Sequence, residues 1–174
     1  MEALNGRQTA RSFSTQKLSM QQLSDLLWAA FGINRPESGK RTAPSAVNWQ
    51  ETTIYVCLEE GIYIYDAKKN ELIAQIVGDS RKNMGIQGFT ADAAVVLAFV
   101  ADYSKMGDAT PKDKKDFYSA VDVGFISQNV YLYCSSEDMS TVVLGAIDRD
   151  KISDVLKLNE NQKVILTQCV GFPK

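Results

Sequence analysis

The sequence predicts an α+β fold built on an antiparallel or mixed sheet, and three observations carry that reading. Helical and strand-like periodicities interleave along the 174 residues without regular βαβ spacing. The strand candidates at residues 52–58 and 62–65 are separated only by Glu59-Glu60-Gly61, far short of the dozen or so residues that a parallel crossover requires. No Gly-x-Gly-x-x-Gly follows a strand, which argues against a doubly wound dinucleotide-binding sheet.

The elements follow in order. Residues 1–6 read as a short helix that Gly6 ends. The clearest helix start is Ser19-Met20-Gln21-Gln22, a capping box with Leu18 and Leu23 in the positions of a hydrophobic staple. Leu23, Leu26, Leu27 and Ala30 then recur at helical spacing, and Gly32 is placed to stop the helix. Trp28 lies off this stripe and covers either the core margin or a second surface such as a partner subunit. Residues 34–48 read as loop, with Pro36, Gly39 and Pro44 among small polar residues. Residues 52–58 and 62–65 are rich in β-branched and aromatic side chains and form a hairpin. Residues 72–77 suit a further short strand or a helix start. The apolar run 93–100 predicts a strand buried on both faces. Residues 112–134 predict a long helix, charged at first and then apolar on most sides, hence central and buried. Residues 150–158 form a shorter amphipathic helix through Ile152, Val155 and Leu156, and residues 163–170 a closing strand.

Composition narrows the function. A single domain over residues 1–174 can bury roughly 70% of its unfolded surface, so the core needs no disulfide or metal staples. Net charge is −2 and no segment collects five or six like charges, so neither nucleic acid nor a membrane surface is an expected partner. No apolar stretch is long enough to span a bilayer. The N-terminus lacks the layout of a secretory signal, although Met1-Glu2-Ala3-Leu4 fits the trimmed start of a longer product. The expected location is cytoplasmic. Cys57, Cys134 and Cys169 form no Cys-x-x-Cys and read as small buried hydrophobes; their odd number favours a reducing compartment. Histidine is absent, which removes Ser-His-Asp and Cys-His nucleophile systems and most catalytic zinc sites. An enzyme of this composition borrows its reactivity from a cofactor. Glu59 with Glu60, splayed in a turn, and Asp113 with Asp116, beside lysines on a helix, read as solvated surface rather than acid pairs.

Two polar clusters remain. Arg7-Gln8-Thr9-Ala10-Arg11-Ser12-Phe13 spaces two guanidinium groups around a hydroxyl, and an extended backbone aims Arg7, Thr9 and Arg11 to one side. Arg offers planar, charge-assisted donors suited to phosphate; the bland alternative is a solvated basic segment. Pro44-Ser45-Ala46-Val47-Asn48-Trp49-Gln50 sets hydroxyl and amide groups on a Pro-interrupted loop, fit to read the edge of a flat heterocycle or simply to turn the chain.

Together the clusters resemble the flavin-binding signatures of the FMN-dependent nitroreductase family, R-x-[ST]-x-R-x-F and P-S-x-x-N-x-Q. Asp122-x-Gly124-x-x-x-Gln128-Asn129-x-x-Leu132 is similar to that family's central helix, and residues 142–148 and 168–173 complete a likeness running from about Leu4 to Pro173, weakest over residues 72–91. The resemblance implies a nitroreductase-like fold, a central mostly antiparallel sheet flanked by helices, in an intertwined homodimer. It implies that Arg7, Gln8, Thr9 and Arg11 hold the FMN phosphate and ribityl chain. Pro44, Ser45, Ala46, Asn48 and Gln50 would reach the flavin of the neighbouring protomer, and Leu144, Gly145 and Ala146 would present backbone amides near the reactive ring. No metal and no catalytic acid or base is implied. The implied function is an oxidoreductase passing hydride from NADH or NADPH through FMN to a small organic acceptor such as a nitroaromatic or quinone. Two alternatives stand beside it: a non-catalytic FMN- or nucleotide-binding module, and a flavoprotein of the same fold with other chemistry, such as ring dehydrogenation or flavin breakdown.

The chain departs from the family pattern in places. Gln8 stands where a basic residue is common, Glu51-Thr52 replaces a frequent Pro-Trp, and residues 134–139 replace an Ala-x-x-x-Gly-Leu-Gly segment. Relatives carry a basic tail after Gly-aromatic-Pro; here either Lys174 supplies that charge or the phosphate site has fewer charges. Gly124 costs about 1 kcal/mol in a helix interior, which points to a close helix–helix approach at a dimer interface. Gln128 and Asn129 read as structural polar residues of that helix.

Overall fold

In the computed structural model, which describes residues 1–174, the chain runs through α1 (Glu2–Gly6), α2 (Met20–Phe31), β1 (Ile33–Arg35), β2 (Lys40–Arg41), β3 (Thr52–Cys57), β4 (Gly61–Asp66), β5 (Glu71–Val77), β6 (Val95–Asp102), α3 (Lys112–Ser136), β7 (Ser140–Leu144), α4 (Arg149–Leu156) and β8 (Gln162–Gly171). β1 and β2 pair as a small hairpin, and the other six strands form one sheet in the order β5-β4-β3-β6-β8-β7. Every pairing is antiparallel. The fold is α+β, as predicted.

β6 lies inside the sheet and explains its own sequence. Val95, Leu97, Phe99 and Ala101 enter one core with α2 and α3, while Val96, Ala98 and Val100 enter a second core with α4. Two period-two patterns superimposed give a continuous apolar run. α2 contributes Leu23, Leu26, Leu27, Ala30 and Phe31 to the first core, and burying each leucine or phenylalanine stabilises by about 1.5–3 kcal/mol. The capping box is present in full, with Ser19 Oγ accepting from Gln22 N–H (3.2 Å) and Gln22 Oε1 accepting from Ser19 N–H (2.9 Å).

Several predicted elements need adjustment. Gly32 ends α2 in an extended conformation (φ −70°, ψ 165°), not a left-handed one. Glycine is needed because a Cβ there would lie 2.5 Å from the Trp28 ring. Residues 34–48 are not all loop, since they contain the β1–β2 hairpin and a helical turn over Ala46–Asn48. Residues 72–77 form a strand, and β7, missed in the sequence, is a five-residue strand bounded by Ser135, Ser136 and Asp138 before it and Gly145 after it, turn signals that could have marked it. α3 is buried on only one face: Val123, Ile126, Val130 and Cys134 enter the core, whereas Phe117, Val121 and Phe125 are exposed at intervals of four residues. Gln128 lies on that exposed side. Asn129 is structural as expected, its amide donating to Ala30 O (3.4 Å) and tying α3 to α2. A Cβ on Gly124 would meet nothing within 4 Å, so no neighbour in this chain explains the glycine. No helix is long and apolar enough to cross a membrane.

Candidate functional site

The first cluster is an extended segment laid along the molecule beside β7. Ala10 N–H donates to Thr141 O (3.0 Å), and Ser14 N–H to Phe172 O (2.9 Å), while buried Phe13 pins the segment to the second core. Its polar side chains gather around Tyr131, which sequence reasoning did not single out. Tyr131 is buried on α3 and lies under the Arg7 guanidinium, 5.3 Å from ring centroid to Cζ. Its hydroxyl is 3.1 Å from Thr9 Oγ1 and accepts the Val143 N–H at 3.1 Å. Arg11 and Gln8 are exposed. Neither Arg7 nor Arg11 has an ion-pair partner, so two full positive charges are left for an external anion.

The second cluster is a tightly wired loop. Ser45 Oγ accepts the Gln50 N–H (2.9 Å). Gln50 Oε1 accepts from Arg41 Nε (2.8 Å), and its amide nitrogen donates to Gly39 O and Asn48 Oδ1 at 3.0 and 3.1 Å. Gln50 therefore spends its side chain shaping the loop and aiming Asn48. Arg41 also donates to Phe31 O (2.8 Å), tying the loop to the end of α2. Val47, Asn48 and Gln50 all have positive φ, at 53°, 57° and 48°. That conformation is a true outlier for β-branched Val47. The loop holds this strain while leaving Pro44, Val47 and Asn48 exposed. Trp49 leaves in the other direction and meets Tyr118 of α3 edge-on at 5.9 Å.

Beneath the loop lies a second feature that the sequence reading passed over. Ala46 N–H donates to Asp122 Oδ2 at 2.8 Å, and Asp122 faces the fully buried Glu51. Burial pushes the Glu51 carboxyl up to about 7, with Asp122 adding to the rise, and burial raises Asp122 as well. Helical periodicity was the available signal: Asp122 shares the buried stripe of Ser119, Val123 and Ile126.

The remaining predicted residues are placed as follows. Leu144 is buried at the end of β7; Gly145 and Ala146 are exposed just beyond it, and their amides make none of the loop hydrogen bonds. Gln87 donates to Ala146 O (3.3 Å) and holds this turn. Lys174 lines a cavity of about 540 Å³ with Phe13, Ser14 and Arg81, and none of Arg7, Thr9 or Arg11 lines it. Glu59 and Glu60 do not splay apart: Lys17 reaches both, at 2.6 and 3.5 Å. Asp116 is less solvated than expected, gathering Lys163, Lys112 and the Tyr103 hydroxyl. Burial raises the cysteine thiols, those of Cys134 and Cys169 to about 12, so they are inert as expected.

One chain does not bring the two clusters together. Asp122 anchors one and Tyr131 the other, and nine residues of α3 separate them, about 14 Å along the axis. A cavity of about 600 Å³ between α2 and the β3–β5 side of the sheet contains no residue of either cluster.

Comparison with known proteins agrees with this architecture. A model of the nitroreductase family matches residues 4–172. A Methanocaldococcus jannaschii protein named as a nitroreductase is 30% identical over 169 residues, covering 91% of this chain and 84% of that protein. A crystal structure from Ralstonia eutropha, also named as a nitroreductase, superposes with a TM-score of 0.94 at 36% identity over 99% of this chain and 82% of that one. The NADPH:FMN oxidoreductase of Vibrio harveyi, solved with NAD+, superposes at 0.71 with 21% identity, covering 99% and 68%, and shares the fold.

Proposed function

The chain belongs to the nitroreductase family, a family of oxidoreductases, and from that premise we propose that it binds FMN between two copies of itself and reduces a small organic acceptor. The observation that carries the reading is the pair of unmatched guanidinium groups, Arg7 and Arg11, on an extended segment beside Thr9. A dianionic phosphate fits that donor set, since Arg gives bidentate, charge-assisted hydrogen bonds. The free amides of Gly145 and Ala146 and the exposed Asn48 suit the edge of a polar ring. Bound FMN would supply the redox chemistry, accepting hydride from NADH or NADPH and passing electrons to a nitroaromatic or quinone.

The protein's own part is binding and orientation. Arg7 and Arg11 hold the phosphate, with Gln8 and Thr9 completing the cradle. Tyr131 keeps Thr9 and the Val143 amide in register. Asn48 presents the edge-reading group, Ser45 and Ala46 shape the loop beside it, and Gln50 braces it. Amide donors turned toward the ring stabilise negative charge as it accumulates there. No acid or base from the chain takes part.

The same geometry supports a homodimer. The exposed stripe of Phe117, Val121 and Phe125 on α3, with Gly124 open beside it, is the kind of apolar surface a monomer rarely leaves uncovered. Trp49 borders the stripe through Tyr118, so a partner packed there meets the second cluster. A two-fold axis across α3 would set the loop of one copy against the arginines of the other.

Purified protein should be yellow after incubation with FMN and desalting, and NADH or NADPH under anaerobic conditions should bleach it. Bleaching separates an enzyme from a module that only binds the nucleotide. Protein that stays colourless after soaking in excess FMN contradicts the reading.

A further inference from the structure

The buried acids Glu51 and Asp122 have no part in the reading above. Glu51 follows Gln50 directly, is fully buried, and has its carbonyl tied to Asp102 N–H at 3.1 Å. Its two carboxyl oxygens receive no hydrogen bond from another residue of the chain, a strongly disfavoured situation for a bare carboxylate. Asp122, which it faces, is only 2% exposed and already accepts the Ala46 N–H. Two buried acids facing each other do not both ionise at low cost, so the pair favours keeping one proton between them. Resting on the FMN reading, we propose that this shared proton holds residues 45–50 in their strained shape, making Glu51 and Asp122 positioning residues for the flavin ring.

The mechanical link is short. Asp122 sits on α3 among core side chains, and its only hydrogen bond to the loop is at Ala46, where the left-handed stretch begins. Removing the proton leaves two adjacent negative charges in a site closed off from bulk solvent by burial. The part able to move is the loop, exposed at Val47 and Asn48 and strained in its backbone. Other charges nearby do not replace the proton. Lys105, exposed on the turn after β6, attracts Glu51 from a distance. Tyr103 on that turn commits its hydroxyl to Asp116 (2.5 Å), and Arg41 is engaged with Gln50 and Phe31.

The sign follows from burial. Burial and Asp122 raise the Glu51 carboxyl, so the proton is in place at acid pH and is lost as pH rises through about 7. The loop is set below that point and loosened above it.

The test compares wild type with Glu51→Gln, whose amide donates to Asp122 at every pH. FMN dissociation constants from flavin fluorescence quenching are measured at intervals from pH 5.5 to 8.5, and the ratio of the two proteins cancels the titration of the FMN phosphate. The expected ratio is near unity at low pH and reaches roughly tenfold weaker binding by wild type at the alkaline end. Infrared spectra of apoprotein should show a protonated-carboxyl stretch at pH 6 that fades by pH 8.5 and is missing in Glu51→Gln. A constant ratio with normal FMN binding overturns the inference and leaves the FMN reading standing. Failure of both proteins to bind FMN at any pH overturns both. A missing carboxyl stretch in wild type at pH 6 overturns the inference alone.

Discussion

At the scale of single residues, Tyr131 joins parts of the site that are remote in sequence. Its hydroxyl reaches both Thr9 and the Val143 amide, so Tyr131→Phe should leave that amide unpaired. The expected cost is about 1–3 kcal/mol, read as weaker FMN binding together with a lower Tm. Arg11→Ala should reduce FMN occupancy, and Arg11→Lys should recover only part of it, because a point charge lacks the planar fork; copurified flavin per chain measures both. Arg7, Thr9 and Arg11 stood out in the sequence as alternating donors on one side of an extended segment, a pattern that suits an anion but also a solvated basic surface. Tyr131 and Glu51 did not, because each works through a partner distant in the chain. A tyrosine in an apolar helix looks like packing until its hydroxyl is seen against Thr9.

At the scale of elements, local rules predicted what local forces stabilise. The capping box of α2 is intact, and Ser19→Ala should cost about 1 kcal/mol in chemical denaturation. Gly32→Ala should cost more than helix propensity explains, about 1–3 kcal/mol, because the new methyl collides with Trp28. β6 was readable from its apolar run, whereas the β1–β2 hairpin was not. Its residues are polar, and its order comes from Arg35 and Arg41 bonding to backbone carbonyls rather than from a hydrophobic pattern. Asp116 shows the same limit. It joins the start of α3 to β8 through Lys163 and to Tyr103, a link that spacing along one helix does not reveal. Hydrogen bonding to Lys163, then to Tyr103, holds its carboxyl well below the ordinary range. Its stabilisation is therefore present above the usual carboxylate pKa and lost as pH falls through the lowered one. Wild type should be more stable than Asp116→Asn at pH 7, with the gap closing in strongly acidic buffer; thermal melts across pH decide it.

At the scale of the whole molecule, the two clusters sit at different heights on α3, and an uncovered apolar stripe of Phe117, Val121 and Phe125 runs beside the second cluster's end of that helix. The helix was expected to be central and buried in its apolar part; within the chain only one face is, and Phe117, Val121 and Phe125 stay exposed on the other. Phe125→Asp leaves the core of the chain intact and should yield a folded monomer by sedimentation, with FMN lost in parallel. The central claim, that each site takes its arginines from one copy and its loop from the other, is tested most directly with mixed dimers. A variant carrying Arg7→Ala and Arg11→Ala is combined with one carrying Ser45→Ala and Asn48→Ala, and the purified heterodimer is titrated with FMN. If the site is shared between copies, both defects fall in one site and the other is intact, so the heterodimer binds one flavin per two chains while each parent homodimer binds none. A heterodimer that binds none would contradict the account, because it would place both clusters of each site in a single chain.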